Sequence, residues 1–532
     1  MGQGSSMNTA AAASGVDPLE QAALKGMVIA HIAARQPDRL AVASAYGDRT
    51  FAQLNGRVNQ LARLLRQHGI GEGDAIAVVS KNRPAFIETY LTALRTGLRF
   101  TPVNFHLTAD EVGYVIDDCE AAVVVFDGTL ATAAEAVARA PRARLRLIVD
   151  GAADGFIDYE TAIAPFADHD IEDPVRGTQM LYTSGTTGRP KGVFRRQQPV
   201  QRTASQTAAG WNFETDLCLC TGPGYHAAPL AFNIAAPLNA GVGVVLMDKW
   251  DAEETLRLIE RHKITHTHMV ATMFHRLLQL PEEVRRQYDL SSLRFAIHGA
   301  APTPVHEKSA MIEWLGPIVF EYYAATEGGG NFFVTAQDWL RKPGTVGRSA
   351  TPAGTKILDD DGVEVETGRS GTIYFKAPDI GRFEYFKAPE KTAQSYRGDW
   401  FTLGDMGYLD DEGYLFLNGR NAETIISGGV NIYPQEIDSE LLKHPAVVDV
   451  CTVGVPNDEW GEEVKSVVQL EPGQSGGEAL AAELMAFARS RLPGFKAPRS
   501  IDFVTDLPRL PSGKIQRRLV RAPYWAGRDR QI

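Results

Sequence analysis

The chain has 532 residues, with 54 Lys+Arg against 65 Asp+Glu and a formal net charge of −11; 44% of residues are hydrophobic and 22% charged. This balance excludes a disordered chain and argues against a nucleic-acid protein, which would carry a basic face. It leaves room for an anionic cofactor, because local fields can oppose net charge, and so long a chain needs no disulfide or metal staple.

Residues 1–16 read as an expression tag, Met1 to Ser6 ahead of a second Met7, and a mobile Ala-rich stretch. An alternation of strands and helices follows. Ala41–Ala45 is apolar and ends at a Gly47-Asp48 turn. Thr50-Phe-Ala-Gln53 and Thr108-Ala-Asp-Glu111 are capping-box patterns, each opening a helix. Leu54, Val58, Leu61 and Leu65 recur at helical spacing up to Gly69. Ala75–Val79 and Ala121–Phe126 read as buried strands. Strand–helix–strand repetition predicts parallel sheets with helices on their faces.

From about Gly344 the strands shorten and Gly/Asp turns crowd in, which predicts a small antiparallel sheet. The clearest boundary falls near Asn418–Ala422. Beyond it, a helix with Pro434 in its first turn, strands around Val447–Val455 and Val464–Leu470, and a helix from Glu478 to Arg491 predict a compact α+β unit. The expected class is α/β. A large N-terminal domain, 17–419, combines parallel-type sheets with the antiparallel sheet. A small mobile domain, 420–532, follows.

The cysteines, Cys119, Cys218, Cys220 and Cys451, are scattered and read as buried thiols in a reducing, cytoplasmic compartment. His266, His268 and His275 are better read as strand and helix residues than as zinc ligands. No apolar run approaches the ~20 residues of a membrane span, and no signal peptide is evident.

The strongest local signal is Tyr182-Thr-Ser-Gly-Thr-Thr-Gly-Arg-Pro-Lys-Gly-Val193. An apolar strand runs into hydroxyls and glycines and then a lysine. Glycines let backbone N–H groups converge on an anion, hydroxyls add donors, and Lys191 adds charge. A polar hairpin turn is the bland alternative. It is not a Walker A loop, because Pro190 precedes Lys191 and Gly192 follows.

With this string the chain resembles the adenylate-forming enzymes, which include acyl-CoA synthetases, luciferases and adenylation domains, over roughly residues 25–520. Further motifs occur in the family's order: Tyr322-Tyr-Ala-Ala-Thr-Glu327, His298-Gly-Ala-Ala-Pro302, Trp400-Phe-Thr-Leu-Gly-Asp405 and Leu507-Pro-Arg-Leu-Pro-Ser-Gly-Lys514. The resemblance implies an ATP/AMP site built from Thr183, Ser184, Gly185, Thr186, Thr187 and Gly188. Gly299, Ala300, Ala301, Tyr323, Ala324, Thr326, Asp405 and Arg420 complete it. Tyr323 would stack on adenine, Thr326 meet the α-phosphate, Glu327 bind Mg²⁺ and Asp405 hold the ribose. Lys191, Thr326, Glu327, Lys514 and His226 would be the catalytic set.

The same resemblance implies an acyl pocket from His226, Phe232, Val270, Met273, Phe274 and His298, and a CoA tunnel at Ser427, Gly428 and Gly429. Two departures stand out. Ala324 replaces a usual glycine, and Ala422 stands where an Asp or Lys commonly follows the hinge arginine, with Asn421 and Glu423 as possible stand-ins. No buried acid or base is evident that would read an amino group.

The implied activity is an AMP-forming acyl-CoA synthetase, a bacterial-type ligase for fatty or bulky acids. Its expected cofactors are ATP, Mg²⁺ and CoA, and its partner is a small carboxylic acid; a homodimer stays open. The alternatives are loading of a separate acyl carrier protein and a non-enzymatic ligand-binding protein on the same scaffold.

Overall fold

The computed structural model describes residues 17–130, 135–136, 142–183, 190–196, 209–301, 303–359, 361–420, 423–427, 430–457, 460–510 and 513–526. Residues 1–16, where the sequence suggests a tag and an Ala-rich stretch, lie outside them.

The first sheet is six-stranded and wholly parallel. Its order is Ile157–Asp158, Leu145–Val149, Ala121–Asp127, Ala75–Val79, Arg99–Pro102, Thr178–Gln179. Successive side chains of a strand point to opposite faces. Ile76 and Val78 therefore join one core with Leu54, Val58, Leu61 and Leu65 of the helix Phe51–Gln67. Ala77 and Val79 join another, with Val112, Val115 and Ile116 of the helix Ala109–Asp118. Both helices open on the expected capping boxes, at Thr50 and Thr108.

The second sheet has 14 strands. Its parallel run is Leu40–Ala43, Gly243–Leu246, Leu217–Cys220, His266–Met269, Phe295–His298, Val319–Tyr323. Val42, Val244 and Leu246 share a core with the helix Phe51–Gln67, so a helical layer lies between the two sheets.

The strands after residue 344 pair antiparallel, as expected from the sequence, and they continue this sheet. The hairpin Val319–Tyr323/Phe332–Val334 pairs onward to Thr345–Ser349, and that strand pairs with Leu415–Arg420. An open strand edge leaves backbone groups unpaired, and the following hairpins satisfy them.

A third sheet of three strands joins Leu181–Thr183, Lys191–Phe194 and Glu384–Tyr385. A fourth, C-terminal sheet of five strands runs between Ile425 and Val504. The helices Pro434–Leu441 and Glu478–Arg489 cover it through Ile437, Leu441, Leu484 and Ala488. All four cysteines are buried free thiols. Among the described residues, no helix is long and apolar enough to cross a membrane.

Candidate active site

A cleft of about 3060 Å³ runs between the large sheets and the C-terminal sheet. At one end stands the hairpin of the phosphate motif, with Thr183 paired to Lys191 in register. Ser184, Gly185, Thr186, Thr187 and Gly188 lie outside the described residues. Thr183 and Lys191, at the base of the hairpin, both line the cleft. Burial, with Lys391 beside it, pushes the Lys191 ammonium down to about 8.

Tyr323, Ala324, Thr326 and Glu327 line the cleft next. The Tyr323 hydroxyl donates to Asp405 Oδ2 at 2.6 Å. Antiparallel register sets Asp405 opposite Arg420. The Tyr385 hydroxyl donates to Glu327 Oε1 at 3.0 Å. Arg195 Nη2 donates to the Thr326 carbonyl at 3.4 Å. Burial lowers the Arg195 pKa, and Glu327 is one of the charges opposing that fall.

Sequence reasoning missed Arg195, Tyr385 and Lys391, all of which line the cleft. Strand alternation from Lys191 through Val193 would have led to Arg195. Tyr385 and Lys391 carry no local signal, since the sheet alone brings them to the hairpin.

Ala300 and Ala301 also line the cleft, Ala300 in the left-handed region at φ 64°. Gly299 does not: it is buried, and a Cβ there would stand 2.6 Å from the Tyr322 carbonyl oxygen. That close approach of backbone to backbone explains the glycine without a nucleotide.

Of the residues expected in an acyl pocket, His226, Phe232, Val270 and Met273 line the cleft. Burial and nearby His106 push His226 down to about 4, so its imidazole is neutral, and Nε2 has no hydrogen-bond partner among the described residues. Phe232 lies 4.5 Å from the Tyr322 ring and stacks on His268 at 5.5 Å. The Tyr322 hydroxyl and His268 Nε2 are 3.1 Å apart, and burial pushes His268 to about 3. These three rings form a floor.

Phe274 and His298 do not belong to the pocket. Phe274 is fully buried with Leu256, Met269 and Met311, and its ring packs on His298 at 4.8 Å. Neighbouring residues on a helix point about 100° apart, so with Met273 on the cleft Phe274 turns to the core. His298 is also fully buried, against Thr303.

The histidines considered for zinc go separate ways: His266 to the Ala209 carbonyl, His268 to Tyr322 and His275 to Glu307. A buried acid does reach the cleft, against expectation. Glu321 lines it, ion-paired to buried Lys308, so the pair carries no net charge.

Lys514 enters from the C-terminal unit and lines the same cleft. Its carbonyl accepts from Leu510 N at 2.8 Å, and Gly513 N donates to the Leu510 carbonyl at 2.7 Å. Arg509, ion-paired to Asp449, donates to the Gly513 carbonyl at 2.7 Å. Gly513 sits at φ 83°, and a Cβ there would collide with the Thr272 hydroxyl. Thr272 belongs to the helix Ala271–Leu278, which carries Met273, so the Lys514 turn rests on the cleft wall formed by that helix.

Ser427 does not line the cleft; pairing with Val430 and Gly461 holds it within the C-terminal sheet. Gly428, Gly429, Asn421 and Ala422 lie outside the described residues. Glu423 accepts from Arg517 Nε at 3.2 Å, which ties it to the C-terminal unit.

The chain is similar to known proteins along most of its length. The indoleacetate–CoA ligase of Aromatoleum aromaticum is 31% identical over 507 residues, covering 91% of this chain and 95% of that one. The fatty acid–[acyl-carrier-protein] ligase ScoC of Streptomyces coeruleorubidus is 30% identical over 498 residues, covering 91% and 93%. The crystal structure of ATP-bound MatB from Rhodopseudomonas palustris superposes with a TM-score of 0.79 at 29% identity, covering 94% of this chain and 99% of that one. Residues 29–383 match the AMP-binding enzyme family and residues 436–514 the AMP-binding enzyme C-terminal domain. The chain belongs to the AMP-binding enzyme family.

Proposed function

We propose that this protein is an AMP-forming acyl-CoA synthetase. The carboxylate of an acid attacks the α-phosphorus of ATP; a C–O–P link forms, the bond to the β-phosphate breaks, and pyrophosphate leaves. The CoA thiol then attacks the acyl carbon, the C–O bond breaks, and AMP leaves. The observation that carries this reading is the docked Lys514 turn: it shares one cleft with Lys191, Thr326 and Glu327 and rests on the wall beside Met273.

Each residue then has a physical task. Tyr323 offers a flat ring to adenine, and Asp405 offers a carboxylate to the vicinal ribose hydroxyls. Thr183, Thr326 and Lys191 hold the phosphates. Lys514 offsets the repulsion between two anions as they meet, which in a water-poor site is worth several kcal/mol. Glu327 would hold a Mg²⁺ ion, a hard cation that suits a carboxylate. Among the described residues no group of three or more His, Cys, Asp or Glu gathers that would favour another metal. When bound, the ion neutralises phosphate charge.

Phe232, Val270, Met273, Tyr322 and neutral His226 suit an acid with an apolar body. The Glu321–Lys308 pair neutralises itself and leaves no charge to read an amino group. Residues 420–532 act as a lid that must move between the two steps, because Lys514 and the thiol cannot both occupy one face of the site. Ser427, Gly428 and Gly429 would border the thiol path in the second arrangement. A reaction that consumes ATP and CoA is compatible with the cytoplasm.

The test is pyrophosphate release on adding ATP and a panel of carboxylic acids, followed by CoA-dependent AMP formation. No pyrophosphate with any acid would overturn the reading. Transfer to a carrier protein but not to CoA would replace the acceptor and keep the first step.

A further inference from the structure

The phosphate hairpin is not self-sufficient. Val193 of its second strand pairs with Tyr385, and the helix Pro389–Ser395 follows directly. Lys391 of that helix lines the cleft, with Nζ 6.0 Å from the Tyr385 ring centroid. It sits beside Lys191, and neither ammonium has a carboxylate partner among the described residues. Nearby Arg195 faces Glu327. Lys191 and Lys391 therefore stand side by side at an end of the cleft where Arg195 already opposes Glu327.

Two ammonium groups side by side without a counter-ion repel each other, the more so when partly withdrawn from water. Such a pair is relieved by an anion with charge spread over several oxygens. AMP has a single phosphate. The terminal phosphates of ATP, or free pyrophosphate, supply the extended charge that two lysines can divide between them.

We propose that Lys391 is a second phosphate-binding lysine, gripping with Lys191 the terminal phosphates of ATP that leave as pyrophosphate. This rests on the adenylation reading, and the test separates the two. Binding of ATP, AMP and inorganic pyrophosphate is measured by calorimetry on the full-length protein and on Lys391→Ala and Lys391→Arg.

In Lys391→Ala, affinity for ATP and pyrophosphate should fall roughly 10- to 100-fold, the range for one lost charge-assisted bond. AMP affinity should hold, and Lys391→Arg should recover most of the loss. Unchanged ATP and pyrophosphate binding in Lys391→Ala overturns the assignment. So does an equal loss for AMP, which would make Lys391 structural, and so does a wild-type protein that binds no pyrophosphate. A wild-type protein that binds ATP and pyrophosphate in this pattern, yet releases no pyrophosphate with any acid, would overturn adenylation and leave the Lys391 site standing.

Discussion

The hydroxyl of Tyr323 donates to Asp405 Oδ2 at 2.6 Å, joining the proposed adenine platform to the proposed ribose acceptor across the large sheet. A nucleoside is thus met by a pair already fixed relative to each other. Asp405→Ala should raise KM for ATP by roughly 10- to 100-fold, while Tyr323→Phe, which keeps the ring and loses one bond, should raise it by about tenfold or less. Initial rates of pyrophosphate release against ATP concentration check this. Equal effects of the two variants would show that the carboxylate acts only through the tyrosine.

Glu327 is positioned by Tyr385 at 3.0 Å. Glu327→Gln should lower adenylation by about 10²-fold or more while the fold survives, as expected for loss of an electrostatic group at the reacting phosphates. Tyr385→Phe should reproduce a smaller part of that loss. Near wild-type pyrophosphate release from folded Glu327→Gln would remove the metal role.

Lys191 stands at about 8 because burial and then Lys391 disfavour its charge. A lysine with a lowered pKa loses its proton as pH rises through that value. kcat/KM for ATP should therefore decline above about pH 8, where the free enzyme discharges. At saturating ATP the rate should persist to higher pH, because bound phosphates favour the ammonium. In Lys391→Ala the limb should move to higher pH. His226, held near 4 by burial, should add no limb near neutrality. A pH profile whose alkaline limb is the same with and without Lys391 would contradict this account.

Lys514 depends on its turn. Lys514→Ala should lose overall synthesis by roughly 10²-fold, yet convert preformed acyl-AMP and CoA to thioester at close to the normal rate. Gly513→Ala should behave alike, because φ 83° disfavours a side chain and the Thr272 hydroxyl occupies its space. Equal loss of both half-reactions would mean that the turn is structural.

In the proposed acyl pocket, the packed rings of Phe232, Tyr322 and His268 would set the depth. Each further CH₂ should add ~0.8 kcal/mol of binding until the floor is reached, and specificity should then break off. Phe232→Ala should extend the accepted length. If short polar acids such as acetate or lactate give the highest kcat/KM, the apolar reading fails.

The sequence by itself determined what neighbouring residues decide. The capping boxes at Thr50 and Thr108 close within three residues, so their helices were legible. An unbroken apolar run marked Ala75–Val79 as a buried strand, and the motif strings pointed to Lys191, Tyr323, Glu327, Asp405 and Lys514, which one cleft now gathers. Tertiary structure decided the rest. The antiparallel strands joined the large sheet because its edge needed partners from distant chain. Phe274, His298 and Gly299 fell behind the cleft wall because packing, which no local pattern encodes, chose the face each presents. Tyr385 and Lys391 reached Glu327 and Lys191 only through the three-stranded sheet. Hydrogen-bond pairing and burial act across space, so those contacts existed only once the chain had folded.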